Sequence, residues 1–176
     1  MGQLKHTLYQ FKNARRCYVF GCFLCAIAET EIFLYTKSME PKTILLVEDE
    51  PLLGNLLRQR LEREQCKVIL VHDGEEALSI LRSTKPDLML LDIILPKISG
   101  FELMEMMQAD TQISRVPIII ISNLGQDSDI AKGETLGAAR YFIKAKISIE
   151  DLVAQVKDFL GGAGAASAQG LSTGGE

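Results

Sequence analysis

Five short apolar runs, each followed by a stretch of helical periodicity, constrain this chain more than any other feature. Thr43–Val47, Lys67–Val71, Leu88–Leu91 and residues 116–121 are dominated by Ile, Leu and Val, and Arg140–Ile143 is Arg-Tyr-Phe-Ile. Runs this short and continuous read as strands buried on both faces of a sheet. After the first, Leu52, Leu53, Leu56, Leu57 and Leu61 repeat at helical spacing from Pro51 to about residue 64, and proline suits a first helical turn. Asp73-Gly74 reads as a turn, and Ala77, Leu78 and Leu81 mark a second helix to about residue 83. A third helix carries Phe101, Leu103, Met104 and Met107, a weakly apolar fourth spans residues 127–136 and stops at Gly137, and a fifth covers Ile149–Leu160. Alternating units of this length predict an α/β fold, and right-handed crossovers make it a doubly wound parallel sheet with helices on both faces.

The 176 residues suffice for one domain with a proper core, and the 47% hydrophobic and 24% charged composition is that of a globular chain. The net charge of −4 is unevenly spread, with five Lys/Arg against two acids in residues 1–39 and fourteen against twenty in residues 40–160. An acidic body excludes direct nucleic-acid binding as its role. Cys17, Cys22 and Cys25 lie in the N-terminal segment and only Cys66 in the body. No further ligands at zinc spacing accompany Cys22-x-x-Cys25, so these are small apolar residues, and the body reads as a reduced domain without disulfides.

Residues 1–38 form a separate extension. Lys5, Lys12, Arg15 and Arg16 precede an apolar run over residues 17–28 that ends Ala26-Ile27-Ala28. That is the layout of a secretory signal, and it also fits an amphipathic helix or an upstream extension of a frame that starts at Met39. Membrane association is expected only if this segment is a real anchor. Residues 39–160 form the domain, and the Gly/Ala/Ser-rich residues 161–176 read as a flexible tail with no room for an output domain.

In a parallel sheet the strands' carboxyl ends share one rim, where ligands bind. The sequence puts Glu48 and Asp49, Asp92, Ser122 and Lys144 there. Three converging carboxylates repel one another, and a divalent cation resolves the conflict; magnesium takes oxygen ligands and one or two carboxylates. Lys144 adds a second positive charge suited to a phosphate. A metal-bound carboxylate beside a lysine and a hydroxyl is equipped to accept a phosphoryl group, with Asp92 as nucleophile.

With those residues in hand, residues 42–160 resemble the response regulator receiver domains of two-component signalling, of the CheY-like single-domain class. The motifs are Ile-Leu-Leu-Val-Glu48-Asp49-Glu, Leu-Leu-Asp92-Ile-Ile-Leu-Pro96 with Gly100, Ile-Ile-Ile-Ser122, and Tyr141-Phe-Ile-Lys144. The resemblance implies a flavodoxin-like sheet of order 2-1-3-4-5 and a cytoplasmic protein that is not an enzyme beyond its own phosphorylation and slow dephosphorylation. It implies phosphorylation of Asp92 by a sensor histidine kinase or phosphotransfer protein. Asp49 and Asp92, Glu48 through water, and the backbone carbonyl of Ile94 would hold Mg²⁺. Ser122 and Tyr141 would form the switch that reports to a downstream target. The fourth helix, fifth strand and fifth helix would offer a surface for a homodimer.

Three departures qualify the likeness. Ala145 stands where the family commonly has a cis proline, so either a strained cis bond or an altered loop is expected. Asn123 follows the switch hydroxyl and is expected to crowd the pocket or to hydrogen-bond across it. Ile94 and Leu124 are both apolar at positions that influence the water attacking the acyl phosphate. The rival of another class is a non-phosphorylated pseudo-receiver that acts only as a docking module. An aspartyl-phosphate hydrolase would need a second Asp where Ile94 stands. A flavodoxin-like electron carrier would need a neutral phosphate cradle where the chain has Glu48-Asp49-Glu50.

Overall fold

The computed structural model describes residues 41–113 and 115–161. The readings of residues 1–38, with Cys17, Cys22 and Cys25, and of the tail beyond residue 161 lie outside the described residues. Five strands, β1 (Thr43–Val47), β2 (Lys67–Val71), β3 (Leu88–Leu91), β4 (Ile118–Ser122) and β5 (Arg140–Ile143), alternate with α1 (Pro51–Arg63), α2 (Gly74–Ser83), α3 (Gly100–Ala109), α4 (Asp127–Thr135) and α5 (Ile149–Leu160). The strands are all parallel, in the order β2-β1-β3-β4-β5. This is the expected doubly wound sheet.

The period-two alternation of side chains along a strand splits the apolar residues between two cores. Leu45, Val47, Met89, Leu91 and Ile120 face Leu78, Leu81, Leu103 and Met104 of α2 and α3. Their neighbours Ile44, Leu46, Leu88, Leu90, Ile119 and Ile121 face Leu57, Leu61, Leu152, Val153 and Val156 of α1 and α5. Truncating such a side chain costs about 2–5 kcal/mol, so the central strands form a stiff base for the loops. α4 is held least: of its residues only Gly133 is buried, and a methyl on it would stand 2.8 Å from Ile120 Cδ1 and 3.1 Å from Tyr141 Cδ2.

Several boundaries differ from expectation, each for a local reason. β4 starts at Ile118 rather than at residue 116, because Pro117 has no N–H to give to a ladder; its carbonyl instead accepts from Met89 N at 2.9 Å. The strand runs on through Ser122, which pairs with Ile143. Asp73-Gly74 is a helix start: the Asp73 carboxylate accepts the Glu76 N–H at 2.9 Å and Gly74 opens α2. Ser99 and Glu102 form a capping box that starts α3 one residue earlier, at Gly100. A methyl on Gly100 would overlap the carbonyl oxygen of Asp92, so only glycine allows α3 to begin against the end of β3. After β5, no peptide bond among the described residues is cis, and Lys144–Lys146 forms a 3₁₀ turn. Of the two outcomes expected around Ala145, the strained cis bond is not found among the described residues.

Asp87 fixes the start of the sheet opposite the functional rim. Its carboxylate accepts the Thr43 N–H at 2.9 Å and the Lys42 ammonium at 3.0 Å, while its own N–H donates to Thr43 O at 2.8 Å. Partial burial raises its pKa, but the Thr43 and Lys42 donors outweigh this and hold it below the ordinary value. A depressed pKa contributes stability that is complete above the unfolded-state value, near pH 4, and fades as the pH falls through the folded value. The side chain is 38% exposed, so solvent screening keeps the contribution to about 1 kcal/mol or less. Asp87→Asn is expected to lower stability by that amount in urea denaturation at pH 7, with the gap to the unaltered chain closing at pH 3.

Candidate functional site

The acids of the site lie where the β-ladder runs past the strand ends. Glu48 N donates to Val71 O at 3.0 Å and Asp92 N to Val47 O at 3.0 Å, so both backbones stay in register one residue beyond β1 and β3. Glu48 is fully buried and Asp92 is 4% exposed, whereas Asp49 is exposed. Each of the three offers a carboxylate oxygen, and those oxygens lie within 4.8 Å of one another. Lys144 enters from the end of β5. Its Nζ donates to Asp92 Oδ2 at 2.5 Å and lies 2.8 Å from each Glu48 oxygen.

Two buried carboxylates against one ammonium leave an excess of negative charge. Burial pushes the Glu48 carboxyl up, the Lys144 hydrogen bond and charge pull it back, and Asp92 raises it again, with a net rise. Burial alone would lower the Lys144 pKa, but hydrogen bonds to Asp92 and Glu48 outweigh it and hold the ammonium above its ordinary value. The Lys144 ammonium reaches both Glu48 oxygens, and the Glu50 N–H, 3.4 Å from Oε1, is the other donor near this carboxylate. Two buried carboxylates that share one ammonium, beside a third carboxylate, make an all-oxygen donor set, and it suits a hard divalent cation. The family-implied ligands Glu48, Asp49 and Asp92 therefore fit such an ion. Ile94, whose carbonyl was expected to join them, is 52% exposed, and its N–H donates to Asp92 Oδ1 at 3.1 Å.

The predicted switch residues lie on the neighbouring strands β4 and β5. Ser122 is fully buried at the end of β4, and its Oγ accepts the Leu124 N–H at 3.4 Å. The half-buried Tyr141 donates its hydroxyl to Leu124 O at 2.9 Å. Burial, then the charges of Asp129 and Asp92, raise its pKa, so it stays a hydroxyl donor at neutral pH. Leu124 thus bonds both residues through its backbone, a link that side-chain reasoning could not supply. Asn123, the next residue after Ser122, is exposed.

One neighbour of the acids escaped the sequence reading. His72 follows β2, and its Nδ1 lies 2.8 Å from Glu48 O, so the ring donates to the backbone that carries the acids. The signal was available, since a strand paired in register with β1 ends at the same rim. Gly100, quoted above with the Asp92 motif, also lets α3 start close against the Asp92 carbonyl.

The chain matches the response regulator receiver domain family over residues 44–157. It is 39% identical over 122 residues to the phosphate regulon transcriptional regulatory protein PhoB of Rhizobium meliloti, covering 69% of this chain and 53% of PhoB. It is 32% identical over 123 residues to the polar-differentiation response regulator DivK of Brucella anthropi, covering 70% of this chain and 99% of DivK. The chain thus spans about half the length of PhoB and nearly all of DivK. Among solved structures it is similar to the phosphorylated cyanobacterial phytochrome response regulator RcpA, with a TM-score of 0.62 and 28% identity over 70% of this chain and 96% of that one. It is also similar to the Mn²⁺-bound form of response regulator Rcp1, with a TM-score of 0.59 and 25% identity over 76% of this chain and 100% of that one. The matched span begins in β1 and ends in α5, so it takes in every strand and the whole rim, and the chain belongs to the response regulator receiver domain family.

Proposed function

We propose that Asp92 accepts a phosphoryl group from the phosphohistidine of a sensor histidine kinase or phosphotransfer protein, in a Mg²⁺-dependent step, and that the resulting surface change signals to a downstream target. The observation that carries this reading is the Asp92 carboxylate, 4% exposed, held 2.5 Å from Lys144 Nζ within a cluster of three acids. A carboxylate oxygen of Asp92 attacks phosphorus, the P–N bond breaks, and its electron pair stays on the departing imidazole. Lys144 is placed to follow the charge onto the transferred oxygens, since it already bonds Asp92 Oδ2. Mg²⁺, held by Glu48, Asp49, Asp92 and the Ile94 carbonyl, would offset the negative charge gathered by the acids and the phosphoryl oxygens.

Ser122 then donates its hydroxyl to a phosphoryl oxygen, and its movement is passed on through Leu124. Because Leu124 N–H bonds Ser122 Oγ and Leu124 O accepts from Tyr141, a shift of the serine moves the loop that anchors the tyrosine. α4 follows easily, having only Gly133 buried. The face made by α4, β5 and α5 is the surface offered to a target or to a second copy. On this reading the chain modifies only itself and turns over no external substrate. It works in the cytoplasm beside its phosphodonor, and among the described residues no helix is long and apolar enough to cross a membrane.

Incubation with a ³²P-labelled histidine kinase domain or with labelled acetyl phosphate is expected to label the chain in Mg²⁺ and not in EDTA, with Asp92→Asn unlabelled. Equal labelling of Asp92→Asn contradicts the acceptor assignment. Absence of labelling in the unaltered chain favours a docking module instead. Ile94 and Leu124 bear on lifetime, because neither side chain can orient a water at phosphorus. Replacing both, by Ile94→Asn and Leu124→Glu, is expected to shorten the acyl-phosphate half-life about tenfold, less than a full general base contributes. An unchanged half-life would remove these positions from the account.

A further inference from the structure

The corner between β2 and α2 touches both loops that carry the charged cluster, although none of its residues belongs to it. On one side His72 donates to Glu48 O at 2.8 Å. On the other, Asp73 Oδ2 accepts from Lys97 Nζ at 2.6 Å, and Glu75 lies 3.2 Å from the same ammonium. Lys97 lies in the β3–α3 loop that starts with Asp92. Asp73 cannot swing freely, because its other oxygen caps α2 through Glu76 N and its side chain is only 19% exposed. Gly74 brings the backbones together: a methyl there would stand 2.9 Å from both the Cβ and the carbonyl oxygen of Ile98.

The backbone at Lys97 supplies a separate observation. Its φ is +65°, the left-handed region that glycine enters freely and other residues only under strain. From that conformation the Lys97 side chain reaches Asp73 and Glu75. We propose that the His72-Asp73-Gly74 corner, acting through Lys97, is a positioning strut that sets the spacing of the Glu48/Asp49 loop from the Asp92 loop, and with it the affinity of the acids for a divalent cation. The inference rests on the reading of that cluster as a Mg²⁺ site.

Coulomb's law and the strut give opposite signs. Lys97 is a positive charge near a cation site, so removing it should tighten Mg²⁺ if charge alone mattered. If it holds the loop, removal should weaken Mg²⁺. Calorimetric titration of Mg²⁺ into the full chain is expected to show about a threefold higher Kd for Lys97→Gly and for Asp73→Asn. That stays within the roughly fivefold that an exposed ion pair can contribute. Lys97→Arg is expected to bind as the unaltered chain does, and Lys42→Met, at the far end of the sheet, should change nothing. Lys97→Gly also relieves the backbone strain, so its melting temperature should not fall. In the metal-free proteins the Ile98 and Gly100 amides should exchange faster in Lys97→Gly. An unchanged or tighter Kd for Lys97→Gly overturns the strut, as does an equal weakening by Lys42→Met. If the unaltered chain binds no Mg²⁺ at millimolar concentration, the metal reading itself fails; unchanged amide exchange would then overturn the strut independently.

Discussion

One ammonium group shared between two buried carboxylates holds this site together. Lys144 Nζ contacts Asp92 and Glu48 at 2.5 and 2.8 Å, and both acids are almost entirely removed from water. Two like charges buried together would otherwise neutralise by taking up a proton or drive the loops apart. The compensation is incomplete: Asp49 adds a third carboxylate to the two that share one ammonium. The site is therefore poised for more positive charge, and a dication and the oxygens of a transferred phosphoryl group would both enter that same electrostatic balance.

The sheet makes this arrangement robust. Glu48 and Asp92 follow adjacent strands, and the register Val47↔Leu91 fixes their backbones side by side. Lys144 follows β5, with β4 between it and β3, so its long flexible stem is what lets it reach the acids. A shorter cation at that position could not. β4 contributes Ser122 from this intervening place, and its loop carries the Leu124 backbone that bonds both Ser122 and Tyr141. The stiff part of the molecule thus sets the charges, and the least buried helix, α4, packs through Gly133 against Tyr141, one of the two proposed switch residues.

The strand pattern and the rim residues were legible in the sequence because both depend on local features. Continuous apolar runs mark buried parallel strands, and a residue just after such a run falls on the rim whatever the loop does next. This sufficed for Glu48, Asp49, Asp92, Ser122 and Lys144. What escaped depended on backbone atoms or on pairing between loops distant in sequence. The tie of Tyr141 to Ser122 runs through the amide and carbonyl of Leu124, whose side chain signals nothing. His72 escaped because β2 was not counted among the strands that supply the rim. Asp73-Gly74 looked like a turn because a capping aspartate and a turn aspartate have the same local sequence. The start of β4 was misjudged because an apolar run was weighed above the missing N–H of Pro117.

The central claim is that the charge balance around Lys144 makes one carboxylate, and no other, the phosphoryl acceptor. After exposure to acetyl phosphate and Mg²⁺, borohydride reduction converts an aspartyl phosphate to homoserine, which peptide mass spectrometry locates. The account predicts homoserine at position 92 alone. Homoserine at position 49, or reduction at Glu48, would contradict it.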